Sequence, residues 1–297
     1  MVGSGVAEGV VAPAQELLDL PYATGSPAQR LDLYLPERSG TAVPLVVYVH
    51  GGAFLAGDKG EAGPQVRALR AHGFAVASVN YRLSGESLFP AGVQDVKAAV
   101  RRLRAHAPRY GLDPGRFGAW GDSAGGHLVT MLGVTGDQRT LFDAIDAGDP
   151  GDGRAEEDVS SAVQAVVDWY GPTDFLAMDT DAQQTRCPQP QGHDDAGSPE
   201  SRWLGAPVPT MPELARIANP ITYVPGARTL PPFLVVHGDA DCNVPHGQSQ
   251  ALVAALRARQ AEVTFTLLAG VGHGGQVFLD EQLEPAVAFF DRTLGDR

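Results

Sequence analysis

The chain reads as an α/β protein, a mostly parallel central sheet flanked by helices, on two observations. Apolar runs of strand length alternate with amphipathic runs of helix length over most of the sequence. The central apolar runs, such as "VPLVVYVHGG" at 43–52, are β-branched on both faces, as strands covered from both sides by helices must be. Composition allows the large core this needs, since 43% of the 297 residues are hydrophobic and 19% charged.

The elements follow in order. "RLDLYLP" (30–36) is an early strand and 43–52 a buried one. "GPQVRALRAHG" (63–73) is a helix closed by Gly73, and "FAVASVNYR" (74–82) a strand. In "PAGVQDVKAAVRRLRAHAP" (90–108) proline stands before the helix start and past its end, where its missing N–H does no harm. "RFGAW" is a strand, "SAGGHLVTML" a helix and "AVQAVVDWYG" (162–171) a strand. "PPFLVVHGD" is a strand, "GQSQALVAALRARQ" a helix, "VTFTLLAG" a strand and "GQVFLDEQLEPAVAFFDRTL" the closing helix. One stretch breaks the rhythm. Residues 171–230, between the strand ending at Trp169 and the strand at 232–236, are rich in proline and polar residues where a single crossover is due. A connection that long without periodicity reads as a lid or cap inserted into a single domain over 1–297.

Charge and composition exclude several classes of function. A net charge of −13 repels phosphate backbones, and the one basic run, "RRLRAHAPR" at 101–109, reads as the polar face of a helix, so no nucleic-acid partner is expected. No stretch reaches the roughly 18 apolar residues of a membrane span. The first 20 residues have neither a basic leader nor a continuous apolar run, so they do not read as a secretory signal. The expectation is a soluble protein, cytoplasmic or secreted with its signal absent from this chain. The acidic stretch "DAGDPGDGRAEEDVSS" (146–161) lacks the alternating spacing of a calcium loop and reads as solvated, so no metal is expected.

The chemistry-bearing motif is "GDSAG" at 121–125, placed between a strand and a helix. A serine on so sharp a turn is forced into a strained backbone that lifts its Oγ above the sheet, and the flanking glycines keep that space clear. An ordinary helix N-cap would also explain Ser123, but not the glycines. Some seventy residues earlier "YVHGGAF" ends a buried strand. Its small residues suit backbone donors for an oxyanion, with Gly52 and Ala53 from this loop and Ala124 at the helix start as the expected three. The bland alternative is a simple strand-to-helix turn. His50 reads as an anchor for the loop rather than a reacting group.

A serine nucleophile needs a base, and the base needs a carboxylate to fix its tautomer. In a parallel sheet both must come from loops at the carboxyl ends of later strands. "VGHGG" after the last strand supplies His273, with His246 the only rival; His72, His106, His127 and His193 sit at helix ends, on the wrong turn or in the insertion. "DADCNVP" supplies two acids, Asp239 and Asp241, and Asp241 reaches further across the sheet.

With "HGGAF", "NYRLS", "GDSAGGHL", "DWYGPTD", "SPESRWLG", "HGDADCNVP" and "GHG" in this order, the chain resembles the α/β-hydrolase superfamily. Within it the chain looks like the bacterial carboxylesterase and lipase group related to hormone-sensitive lipase. The resemblance covers roughly 30–292. It implies the α/β-hydrolase fold, Ser123 as nucleophile, Asp241 as acid, His273 as base, and Gly52, Ala53 and Ala124 as the oxyanion hole, with no cofactor. The expected substrate is a small-molecule ester, a short acyl chain on a simple or aromatic alcohol; an amidase, formamidase or peptidase using the same triad is the alternative. Ala53 departs from the group's usual third glycine. The donor survives, and the added methyl narrows the pocket beside Phe54 against bulky esters.

Phe54, Phe89, Trp169, Tyr170 and Trp203 are candidate pocket walls, each with plain core packing as the rival reading except Phe54, which its loop places near the oxyanion hole. Cys187 in the insertion and Cys242 beside Asp241 are a candidate disulfide pinning one to the other; two unlinked thiols are the alternative.

Overall fold

The computed structural model describes residues 12–38, 40–138, 141–143, 156 and 158–295. Eight strands form one sheet: β1 (Gln15–Pro21), β2 (Arg30–Leu35), β3 (Val43–Val49), β4 (Ala75–Val79), β5 (Leu112–Asp122), β6 (Ala165–Trp169), β7 (Phe233–Gly238) and β8 (Val263–Leu268), in spatial order 1-2-4-3-5-6-7-8. β1 and β2 run antiparallel at one edge, and β3 to β8 are parallel. The described α-helices are α1 (Gly63–Ala71), α2 (Ala91–Ala105), α3 (Ala107–Tyr110), α4 (Ala124–Thr135), α5 (Met178–Ala182), α6 (Pro199–Leu204), α7 (Pro212–Ala218), α8 (Gly247–Ala258) and α9 (Leu283–Leu294).

Two apolar layers sandwich the sheet, as side chains that alternate along a strand require. Leu45, Val47 and Val49 of β3 belong to the layer that holds α2, α4 and α8 on one face; Val46 and Tyr48 belong to the layer of α1 and α9 on the other. The strand order places a topological switch at the centre. The chain leaves β3 through α1 on one face, and leaves its neighbour β5 through α4 on the opposite face. The crevice above the carboxyl ends of β3 and β5 is therefore where a ligand finds room.

The strands and long helices lie where the sequence predicts them, with two differences. β1 (Gln15–Pro21) precedes the first strand that the sequence predicts. The stretch between β6 and β7 is not a loop without structure but holds α5, α6, α7 and two 3-10 turns, Val208–Thr210 and Pro220–Gly226. Phe175, Met178, Trp203, Leu204, Val208, Ala218 and Val224 of this stretch are buried in the same layer as α4 and α8. Most of the acidic stretch 146–161 and the start of the chain lie outside the described residues, and the readings made of them stand apart from the structure. No described helix is long and apolar enough to cross a membrane.

Candidate active site

β5 ends in Asp122, and Ser123 turns the chain straight into α4 at φ 53° and ψ −122°, a conformation few non-glycine residues adopt. Close approach explains the glycines around it. A Cβ on Gly125 would stand 2.0 Å from the carbonyl oxygen of Val49, and one on Gly121 2.3 Å from the carbonyl carbon of Gly125. One on Gly126 would stand 2.4 Å from Asp168 Oδ1. The start of α4 therefore lies directly on the ends of β3, β5 and β6, which holds the serine up at the crevice. Ser123 is not a side-chain cap for its helix, so its hydroxyl is free for another partner.

That partner is His273. Its Nε2 lies 2.9 Å from Ser123 Oγ and its Nδ1 2.7 Å from Asp241 Oδ2. Asp241 is fully buried, and its other oxygen accepts from the backbone amides of Asn243 (2.8 Å) and Val244 (2.9 Å). Burial by itself would raise this carboxyl, but hydrogen bonds from His237 and His273 outweigh it and hold the group well below the usual carboxylate range. Asp239, the other acid of the loop, is occupied elsewhere: Oδ1 accepts from Gly270 N at 2.6 Å, and Oδ2 meets Arg186 Nε at 3.3 Å. His246, the rival base, makes no hydrogen bond to Ser123 among the described residues.

The loop after β3 lies against the serine, for a Cβ on Gly51 would stand 3.2 Å from Ser123 Cβ. Gly52, Ala53 and Phe54 have φ of 103°, 57° and 60°, three consecutive left-handed residues. Non-glycine strain of this kind persists where the surroundings impose it, most often at a functional loop. Among the described residues the backbone N–H groups of Gly52, Ala53 and Ala124 donate to no other group of the chain. His50 anchors the loop: it stacks on Tyr81 with ring centres 4.6 Å apart, and its Nδ1 donates to the carbonyl of Gly51 at 2.8 Å.

The five aromatic candidates separate. Phe54 stacks on Trp203 at 4.2 Å, and Phe89 meets Trp203 edge-on at 4.9 Å, in a buried group completed by Phe175 and His127. Tyr170, at φ 44°, sets its ring edge-on against His273 at 4.7 Å. Trp169 belongs elsewhere, because alternation along β6 turns it to the α1 and α9 face, where it packs on Trp120 and Phe278. As a wall of the site it is a core residue instead.

Cys187 and Cys242 form a disulfide with Cα atoms 5.2 Å apart. It joins the stretch after α5 to the residue next to Asp241, and two backbone bonds run beside it, Gln191 N to Cys242 O and Arg186 N to Asp239 O. The sequence reading missed His237 and Ser249, which complete the surroundings of the acid. A histidine inside an otherwise apolar buried strand, four residues before an aspartate, was the available signal. No group of three or more His, Cys, Asp or Glu side chains is placed to hold a metal among the described residues.

A family model described as BD-FAE matches residues 31–256. Esterase LipC of Mycobacterium tuberculosis is 32% identical over 252 residues, covering 84% of this chain and 57% of that protein. Esterase LipQ of the same organism is 31% identical over 264 residues, covering 88% and 57%. The chain thus spans little more than half the length of these curated relatives. Among solved structures, a bifunctional GH43-CE of Bacteroides eggerthii superposes with a TM-score of 0.82 at 34% identity, over 94% of this chain and 38% of that one. A truncated carbohydrate esterase from gut microbiota gives 0.80 at 33% identity, over 99% and 100%.

Proposed function

Because the chain belongs to the BD-FAE family and has the α/β-hydrolase fold of carboxylesterases, we propose that it hydrolyses carboxylic esters through an acyl-enzyme on Ser123. The observation that carries this reading is the unbroken relay from Ser123 Oγ through His273 to Asp241 beside a loop of unpaired backbone amides. In the first half-reaction His273 Nε2 takes the Ser123 proton as Oγ attacks the ester carbonyl. The amides of Gly52, Ala53 and Ala124, with the positive end of α4, receive the charge that develops on the carbonyl oxygen. His273 then gives its proton to the departing alcohol. Water, deprotonated by the same imidazole, attacks the acyl-enzyme; collapse of that intermediate frees the acid and returns the proton to Oγ. Asp241 holds the Nδ1–H tautomer throughout and stabilises the imidazolium between steps.

Short acyl groups are the proposed substrates, on simple or aromatic alcohols. Two features support a small acyl site: the methyl of Ala53 on the oxyanion loop, and the way Trp203 and Phe89 fill the space against Phe54. A carbohydrate is the first alcohol to test, since both similar structures at 33–34% identity are described with a carbohydrate esterase or CE part. The disulfide favours an oxidising compartment.

Hydrolysis of p-nitrophenyl esters from acetyl to dodecanoyl, and of an acetylated sugar, tests the reading. Turnover should be greatest for the shortest acyl chains and fall by on the order of 10⁵-fold or more in Ser123→Ala. A folded protein that hydrolyses none of these esters, or a Ser123→Ala variant as active as the parent, overturns it.

A further inference from the structure

Asp241 Oδ2 receives two imidazoles rather than one. His273 Nδ1 lies 2.7 Å from it and His237 Nε2 3.2 Å. His237 is a fully buried residue on β7, and Ser249 a fully buried residue on α8. The same Nε2 stands 2.9 Å from the carbonyl of Val244, and Nδ1 stands 2.7 Å from Ser249 Oγ. Both neighbours of Nε2 are acceptors, so Nε2 carries a proton, and Nδ1 pairs with the Ser249 hydroxyl. His237 thus presents a protonated Nε2 to the oxygen that the base also uses.

Resting on the serine hydrolase reading above, we propose that His237, its ring held at Nδ1 by Ser249, is a positioning residue for the acid. It holds Asp241 Oδ2 in line with His273 Nδ1 and limits how strongly that carboxylate attracts the proton of His273. With the donor gone, the two amides of Asn243 and Val244 still hold Oδ1, but Oδ2 keeps only His273 as a partner. A less satisfied carboxylate attracts the imidazolium more strongly. The proton on His273 is then harder to lose, and the pH at which the base becomes free moves up.

The other titratable groups facing this pair are Asp122 at the end of β5, Asp168 and Tyr170 at the end of β6, Asp239 on the acid loop, and His246 ahead of α8. None is altered by the substitutions that follow. His237→Leu removes the donor, whereas in His237→Gln the side-chain amide nitrogen reaches the place of Nε2. Ser249→Ala leaves the ring and frees its Nδ1.

The test is the pH profile of kcat/KM for a short p-nitrophenyl ester, with competent sites counted by stoichiometric phosphonate labelling of Ser123. His237→Leu is expected to lower kcat/KM about tenfold or more and to move the acid limb up by about half a pH unit or more. His237→Gln should return both most of the way, and Ser249→Ala should fall between. A purely structural role would reduce the number of labelled sites and leave the limb where it was. An unmoved limb in the labelled fraction of His237→Leu, or a Gln variant no better than Leu, overturns the proposal. If His237→Leu does not fold, Ser249→Ala decides: an unmoved limb there overturns it equally. Ser123→Ala in the same assay keeps the two readings apart. Hydrolysis that persists in Ser123→Ala removes the serine reading, whereas its loss there with an unmoved limb in the other variants removes only the role of His237.

Discussion

Two buried carboxylates two residues apart have different work at the end of β7, and the difference lies in their donors. Asp239 accepts from Gly270 N and Arg186, contacts that tie the acid loop to the turn after β8. Asp241 accepts from two backbone amides and two imidazoles. Replacement by asparagine separates them. In Asp241→Asn an amide NH₂ can face His273 Nδ1, which favours the tautomer whose proton sits on Nε2 and cannot receive the serine's. Steady-state hydrolysis should fall by on the order of 10³–10⁴-fold. Asp239→Asn still offers an oxygen to Gly270 N and should stay within a few-fold of the parent. The opposite ranking would place the acid at Asp239. That His273 meets Asp241 and not Asp239 follows the reach that the sequence suggests, since Asp241 is further from the strand. What sequence spacing did not carry was His237: it stands inside "FLVVHG", where strand alternation hides that its partner lies across a turn.

Among the elements, the helix that follows Ser123 is held by contacts that only glycine allows. A Cβ at position 125 would meet the carbonyl oxygens of Val49 and His50 at 2.0 and 2.6 Å, backbone atoms that cannot swing aside. Gly125→Ala should therefore lift α4 from the end of β3, carry Ser123 away from Gly52 and Ala53, and destabilise by about 2–4 kcal/mol. Gly226→Ala is the control, because nothing lies within 4 Å of a Cβ there. Thermal unfolding and ester hydrolysis of the pair check this, and an active, stable Gly125→Ala would refute the packing argument. The disulfide works at the same scale. It closes a stretch of 55 residues, a constraint worth roughly 4 kcal/mol in the chain-entropy model. Reduction should lower the unfolding midpoint and depress turnover together, because Cys242 adjoins Asp241. Reduction that leaves both unchanged would show that the backbone bonds beside the bridge suffice. Elements with a strong period are legible in the sequence, and β1, α5, α6 and α7, which are not, lack one. β1 is an edge strand whose register shifts between Leu17 and Leu20, with Asp19 at φ 55°, so its leucines never alternate cleanly. Helices α5, α6 and α7 have five to seven residues, fewer than two full turns, too short for a helical pattern to rise above the prolines around them.

For the whole molecule, the pH dependence of stability is set in part by two buried groups that act against each other beneath the site. Asp168 accepts from Gly171 N and Thr130 Oγ1, and burial pushes its carboxyl up from 3.8 to about 6. His127 donates from Nδ1 to the carbonyl of Pro172, and burial among Phe54, Phe175 and Trp203 pushes its imidazole down from 6.5 to about 4. The signs follow from which state holds more protons. Between about pH 4 and 6 the folded chain keeps a proton on Asp168 that the unfolded chain has lost, so this residue makes stability fall as pH rises. Between about pH 4 and 6.5 the unfolded chain protonates His127 while the folded chain does not, so this residue makes stability rise. At about 1.4 kcal/mol for each pH unit, either one alone would move stability by roughly 3 kcal/mol, and in the parent the two largely cancel. Single substitutions unmask them. Asp168→Asn keeps an acceptor for Gly171 N, and its stability relative to the parent should climb from pH 4 to 6 and then level off. His127→Asn keeps a donor for Pro172 and loses ring contacts at every pH, but its stability relative to the parent should decline from pH 4 to 6.5. Denaturant unfolding of parent and variants across pH 4–7.5 measures both differences. Opposite slopes are required, because a carboxyl and an imidazole buried in one layer are displaced in opposite directions by the same loss of water; two parallel curves would mean that burial does not govern either group.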